Sequence, residues 1–89
     1  MIPNHKIKNI AWDVFAVDST YDDSLDDWML DDLKPTGKTI MLSQKTSNDQ
    51  IMIALQMNKK KFKAFISKNE IFVCSTKNNQ PSLCIRRSV

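Results

Sequence analysis

Apolar and polar positions alternate along residues 7–17. Ile10, Trp12, Val14 and Ala16 fall on one side, and Ala11, Asp13, Phe15 and Val17 on the other. A period of two predicts a strand. Both sides are largely apolar, so a central strand covered by a helix is expected. The spacing then changes. Tyr21, Leu25, Trp28, Met29 and Leu33 follow the 1, 5, 8, 9, 13 stripe of an amphipathic helix over about residues 21–33. Ser19 or Thr20 can cap its N-terminus, with Asp22 and Asp23 in a first turn that favours carboxylates. Lys34-Pro35 ends it, because a residue before proline avoids helical geometry, and Thr36-Gly37 supplies a turn.

Period-two patterning returns afterwards. Lys38–Ser43 places Ile40 and Leu42 on one face. Gln44–Gln50 is a polar loop. Ile51–Met57 sets Ile51, Ile53, Leu55 and Met57 against Met52, Ala54 and Gln56. Asn58–Lys61 turns the chain into Phe62–Ser67, a strand or alternatively a short helix. Lys68-Asn69-Glu70 turns it again, and Ile71–Thr76 pairs with Ser82–Arg87 about a turn near Asn78-Asn79. Short strands joined by short polar turns predict an antiparallel meander of about five to six strands. With one acidic amphipathic helix after the first strand, packed on one sheet face, the class is α+β. The 89 residues make a single domain, 1–89. A chain of this size holds one small core. Trp12 is expected under the helix, Trp28 on the helix face that meets it, and Phe62 and Phe65 in the core.

Charge changes the picture most. Eight of the ten acidic residues fall between Asp13 and Asp32, a stretch without Lys or Arg. Residues 1–33 carry a net charge of −6 and residues 34–89 a net charge of +9, so the total of +3 hides a dipolar molecule. Packed like charges repel unless a partner or the basic half neutralises them. On the expected helix, Asp23, Asp27 and Asp31 form a ridge with Asp22 and Asp26 beside it and Leu30 within it. Carboxylates four residues apart on a helix lie about 6 Å from one another, close to the phosphate spacing of a nucleic-acid strand. Exposed helix faces usually mix both signs at i,i+4. Asp is also a modest helix former, and Asp31 and Asp32 sit where the dipole disfavours them. A locally unfavourable choice points to a further constraint, against the plainer reading of a solvated face that keeps the protein soluble.

This pattern predicts a non-enzymatic inhibitor that blocks a larger basic protein, such as a nuclease, a toxin or a nucleic-acid-binding effector. Asp22, Asp23, Asp26, Asp27, Leu30 and Asp31 would make the contact. Size and charge suit small inhibitors of the phage anti-defence or toxin-immunity type, and the excess of Lys and Asn over Arg suits an AT-rich genome. The alternative is a small nucleic-acid-binding protein. Lys59, Lys60, Lys61, Lys63, Arg86 and Arg87 would track phosphates while Phe62 and Phe65 stack on bases, although lysines also protect exposed strand edges. Self-association, acidic element on basic sheet, is a third possibility.

Other chemistry is disfavoured. The single glycine, Gly37, cannot build a phosphate loop. The acidic cluster lacks the glycine turn of a calcium loop. His5 is the only histidine, too few for a zinc site and not placed to activate a hydroxyl. No cofactor, metal or catalytic residue is expected. No run approaches a membrane span and the N-terminus lacks a signal-peptide pattern, so the expected location is the cytoplasm. Cys74 and Cys84 lie symmetrically about Asn79 and could face each other in a hairpin. A reducing compartment favours two thiols over a disulfide.

Overall fold

The computed structural model describes residues 8–88. His5, Lys6 and the first residue of the expected opening strand, Ile7, lie outside them. Five antiparallel strands and one helix follow in the order β1 (Asn9–Asp22), β2 (Asp27–Ser43), α1 (Asn48–Leu55), β3 (Phe62–Ile66), β4 (Glu70–Ser75) and β5 (Pro81–Arg87). The sheet order is β2-β1-β5-β4-β3. A β1–β2 hairpin and a β3–β4–β5 meander are thus joined where β5 returns beside β1. The α+β class and a central first strand match the alternation in the sequence.

The helix is elsewhere than expected. Residues 21–33 are not helical. They close β1, turn through residues 23–26 and open β2. Asp is disfavoured in a helix, and carboxylates at i,i+4 repel. The β1 side also offers an apolar partner, so Val17 pairs with Leu33 and Tyr21 with Trp28 across the hairpin. Leu25, counted in the apolar stripe, sits in the turn and is 62% exposed.

The real helix occupies part of the expected loop and part of the expected strand 51–57. The Ser47 side chain caps it by accepting from Gln50 N at 3.4 Å. Serine followed three residues later by glutamine is a capping-box sequence. Gln56, in the left-handed region at φ 58°, ends it with its N–H directed to the Ile53 and Met52 carbonyls. Ile51, Met52 and Leu55 are buried whereas Ile53 is 76% exposed. That is a helical stripe, one turn apart, and not the alternation of a strand.

Directly paired residues share a sheet face. One face presents Ile10, Trp12, Val14, Ile40, Leu42, Ile71, Val73 and Ile85 to α1, and with Ile51, Met52 and Leu55 they form the core. The helix touches both end strands of the sheet, β2 and β3, so the sheet curls around it. Full burial of one such side chain stabilises by about 1.5–3 kcal/mol. Trp12 belongs to this core, but the helix that shares it is α1 and not the one expected at residues 21–33. Trp28 does not belong to it, because it lies far out on the hairpin.

The opposite face carries Phe15, Phe72, Cys84 and, at its edge, Phe65. Phe65 is 49% exposed, against the expectation of a core position. Cys74 and Cys84 are buried free thiols. They are not opposed, because a register shift pairs Cys74 with Pro81 and Cys84 with Phe72. Burial pushes both thiols above their ordinary pKa. Asn79, at φ 61°, makes the expected turn between β4 and β5. Among the described residues no helix is long and apolar enough to cross a membrane.

Candidate functional site

β5 pairs with β1 only over Trp12–Ala16. Beyond that point β1 and β2 continue as a two-stranded arm, Val17–Asp22 against Asp27–Leu33. Six residues of antiparallel strand reach about 20 Å, and the molecule is 58 Å along its longest axis. Seven aspartates and no Lys or Arg fall within residues 17–33. Asp13 alone of the acidic run stays at the root, where its carboxylate accepts from Ser88 Oγ at 2.7 Å and Thr39 Oγ1 at 3.2 Å.

The register sorts the arm into two faces. Val17–Leu33, Ser19–Leu30 and Tyr21–Trp28 pair on one. Asp18–Asp32, Thr20–Met29 and Asp22–Asp27 pair on the other. Like charges directly opposed across strands are destabilising, and here there are two such pairs. Lys34 meets Asp18 at 3.1 Å, and the Asp18 carboxylate raises the Lys34 ammonium's pKa. It is the sole ion pair to an arm carboxylate among the described residues. The acidic tip is therefore not neutralised by the chain's own basic half.

Two bulges in β2 set these faces. One extra residue, Asp31, lies between the partners of Asp18 and Ser19, and Thr36-Gly37 lie between the partners of Val14 and Phe15. Gly37 takes φ 79°, a conformation that disfavours side chains. Asp31 accepts from Thr20 Oγ1 at 2.5 Å.

The turn is built by its own carboxylates. Asp22 Oδ1 accepts from Ser24 N at 2.9 Å and Ser24 Oγ at 2.6 Å, and these bonds lower its pKa. Asp26 sits at φ 51° and accepts from the Tyr21 hydroxyl. That bond to a carboxylate pushes the phenol above its ordinary range. The Tyr21 and Trp28 rings meet edge to face at 5.2 Å. Trp28 Nε1 donates to Asn78 O at 3.0 Å, turning the arm's apolar face toward the β4–β5 turn.

Asp22, Asp23, Asp26 and Asp27 are thus gathered at one tip, with Asp31 further down. The straight ridge of Asp23, Asp27 and Asp31 does not exist. Asp23 is in the turn, Asp27 on the acidic face and Asp31 at a bulge. Leu30 does not lie among the carboxylates. It pairs with Ser19 on the apolar face and is 47% exposed. The sequence reading missed Asp18 and Asp32 as arm residues, and it missed Trp28 as the tether. For Asp18 the available signal was its period-two relation to Thr20 and Asp22, whereas Asp32 and Trp28 take their places from cross-strand pairing.

The basic set is dispersed. Lys59, Lys60 and Lys61 form the turn into β3, whose Lys60 and Lys61 carbonyls accept from Thr76. Lys59 pairs with Asp49 at 3.8 Å. Lys63 and Arg86 lie on the open sheet face. There Lys63 stands over Phe65, and Arg86 binds Glu70 at 2.8 Å. Arg87 lies on the other face, over Trp12. No protein-family model, curated protein or solved structure matches this chain.

Proposed function

We propose that this chain is a non-enzymatic, cytoplasmic binding protein that inhibits a larger basic, nucleic-acid-handling protein through its acidic arm. The observation that carries the reading is a projecting two-stranded arm with seven carboxylates and, among the described residues, a single ion pair. Its charge is displayed on a fixed backbone, and a tip made by Asp22, Asp23, Asp26 and Asp27 can enter a groove shaped for phosphates. Opposite charge across the contact raises the association rate and sets orientation. The exposed Leu30 and Tyr21 on the reverse face add apolar contact where the partner wraps the arm. Nucleic-acid binding by the lysines and arginines is less favoured, since they divide between two faces and a turn.

The test is affinity capture from source-cell lysate after nuclease treatment, comparing the native chain with D23N/D27N/D31N. Asparagine keeps an acceptor oxygen at each position, so folding should persist. A nuclease-resistant protein lost in the variant supports the reading. Retention of the same partner by the variant at physiological salt refutes it.

A further inference from the structure

We propose that the free edge of β2 at Thr39–Ser43 is a self-association site, where a second copy of this chain adds its own β2 in antiparallel register. The sheet order leaves β2 and β3 as the two edges. Gln44 N donates to Lys8 O, and Ser88 N to Ala11 O. Hydrogen-bonded pairs alternate along an antiparallel ladder. In the β1–β2 register, Ile40 and Leu42 therefore bond inward to β1, while the N–H and C=O groups of Thr39, Met41 and Ser43 point outward.

The two edges differ in what protects them. On β3, Asn48 Oδ1 accepts from Ala64 N at 2.7 Å and Asn58 O accepts from Phe62 N at 3.0 Å. Lys59, Lys60, Lys61 and Lys63 add charge there. Bulges, prolines and lysines commonly guard exposed edges against pairing. On β2, Pro35 and the Thr36-Gly37 bulge guard the root of the arm, and Lys38 N is held by Thr36 Oγ1 at 3.2 Å. That protection ends before Thr39. Thr39–Ser43 carries no charge and no proline. Among the described residues nothing accepts from its outward N–H groups.

Exposed apolar side chains flank this edge on both faces. Met41 is 57% exposed on the open sheet face, and Ile53 of α1 is 76% exposed on the helix face. Both line a cavity of about 320 Å³, together with Leu42, Ser43 and Ala54. A register centred on Met41 uses every outward group. Met41 then pairs with Met41 of the second copy, and Thr39 with Ser43 of the second copy. A two-fold axis perpendicular to the sheet brings like faces together. The Met41 side chains meet on the open face, and Ile53 of each copy turns toward the joint on the helix face. Charge selects the antiparallel sense. Parallel pairing would lay two acidic arms side by side, at the cost of like-charge repulsion. Antiparallel pairing sends the arms to opposite ends. It also brings the root of each arm beside Lys45 of the other copy, a cation with no acidic partner among the described residues. The joint leaves both arms free, so it does not depend on what the arm binds.

Sedimentation equilibrium from micromolar to near-millimolar protein should show a monomer–dimer equilibrium. It should persist in high salt, because backbone bonds and apolar contacts are not screened as charges are. Amide exchange at Thr39, Met41 and Ser43 should slow as concentration rises, while exchange in the turn of the arm stays the same. Met41→Lys and Met41→Glu each set like charges across the axis and should weaken dimerisation at least about tenfold. An equimolar mixture of the two variants should restore the dimer, which also reports that both fold. Any of four results would overturn the proposal: a monomer at every concentration, a dimer that neither variant weakens, variants that stay monomeric when mixed, or a dimer that dissolves in high salt. The last would assign the contact to the acidic arm of one copy on the basic body of the next.

Discussion

Residues 9–16 and 17–22 belong to one strand, β1, yet they are held in different ways. In the body, β1 is flanked by β2 and β5, and its Trp12 and Val14 pack with α1 in a common core. In the arm it has one neighbour, β2. Two carboxylate pairs face each other, and stability rests on Tyr21, Trp28 and one bond to Asn78. The apolar side of the hairpin even changes face, from Trp12 and Ile40 in the body to Val17 and Leu33 in the arm. Burial holds the body, and local hydrogen bonding with a single tether orders the arm. An isolated two-stranded ribbon is marginal in water, which is why the Trp28 contact matters.

That contrast can be broken from either side. The largest effect should come from Ile51→Ala in α1, which removes a wholly buried side chain. A loss of about 2–5 kcal/mol is expected, from a total of about 4–13 kcal/mol for a chain of this length. Denaturant unfolding should show one cooperative transition at a much lower midpoint, for arm and body alike. Trp28→Ala should act locally. It deletes a hydrogen bond worth about 1 kcal/mol and the aromatic contact beside it. Amide exchange should accelerate across residues 17–33, while the denaturant midpoint moves far less than in Ile51→Ala.

The buried thiols sharpen the body side. Their raised pKa means that the folded state holds these protons more tightly than the unfolded chain does. The stability so conferred is complete below the ordinary thiol value of 9.0 and is lost as pH rises through the folded values. Stability should therefore fall as pH rises above the ordinary thiol value of 9.0, and C74A/C84A should flatten that slope. At neutral pH both thiols should react slowly with a disulfide reagent until the chain is unfolded.

The arm should show the opposite dependence and the smallest effects. Asp22 has a lowered pKa, so its contribution is present above the ordinary carboxylate value and is lost as pH falls through the folded one. The Ser24 amide resonance, which reports on the Asp22 carboxylate, should hold its position to a pH below the ordinary carboxylate value of 3.8. Lys34→Gln removes an exposed pair. It should leave the thermal midpoint nearly unchanged, while arm protection becomes more sensitive to low salt.

How much of this was legible in the sequence follows the same division. β1, β3, β4 and β5 stand near where period-two alternation places them, because one face of each is buried. The helix was misplaced twice over. Ile51, Ile53, Leu55 and Met57 imitate a strand, and the signal that outweighs them, Ser47 with Gln50, lay within a stretch read as loop. Tyr21, Leu25, Trp28, Met29 and Leu33 imitate a helix because the turn at residues 23–26 and the bulge at Asp31 break the alternation. The acidic residues were visible from composition, whereas their arrangement depends on cross-strand register, which no local pattern encodes.

One consequence of the arm concerns heredity. None of residues 17–33 belongs to the cluster that holds the fold, so substitutions at the exposed positions of this loop-and-ribbon are not filtered by misfolding. Its surface can be rewritten quickly under selection, at little risk to the heritable scaffold beneath. A lineage pressed by a changing opponent would accumulate its differences there first.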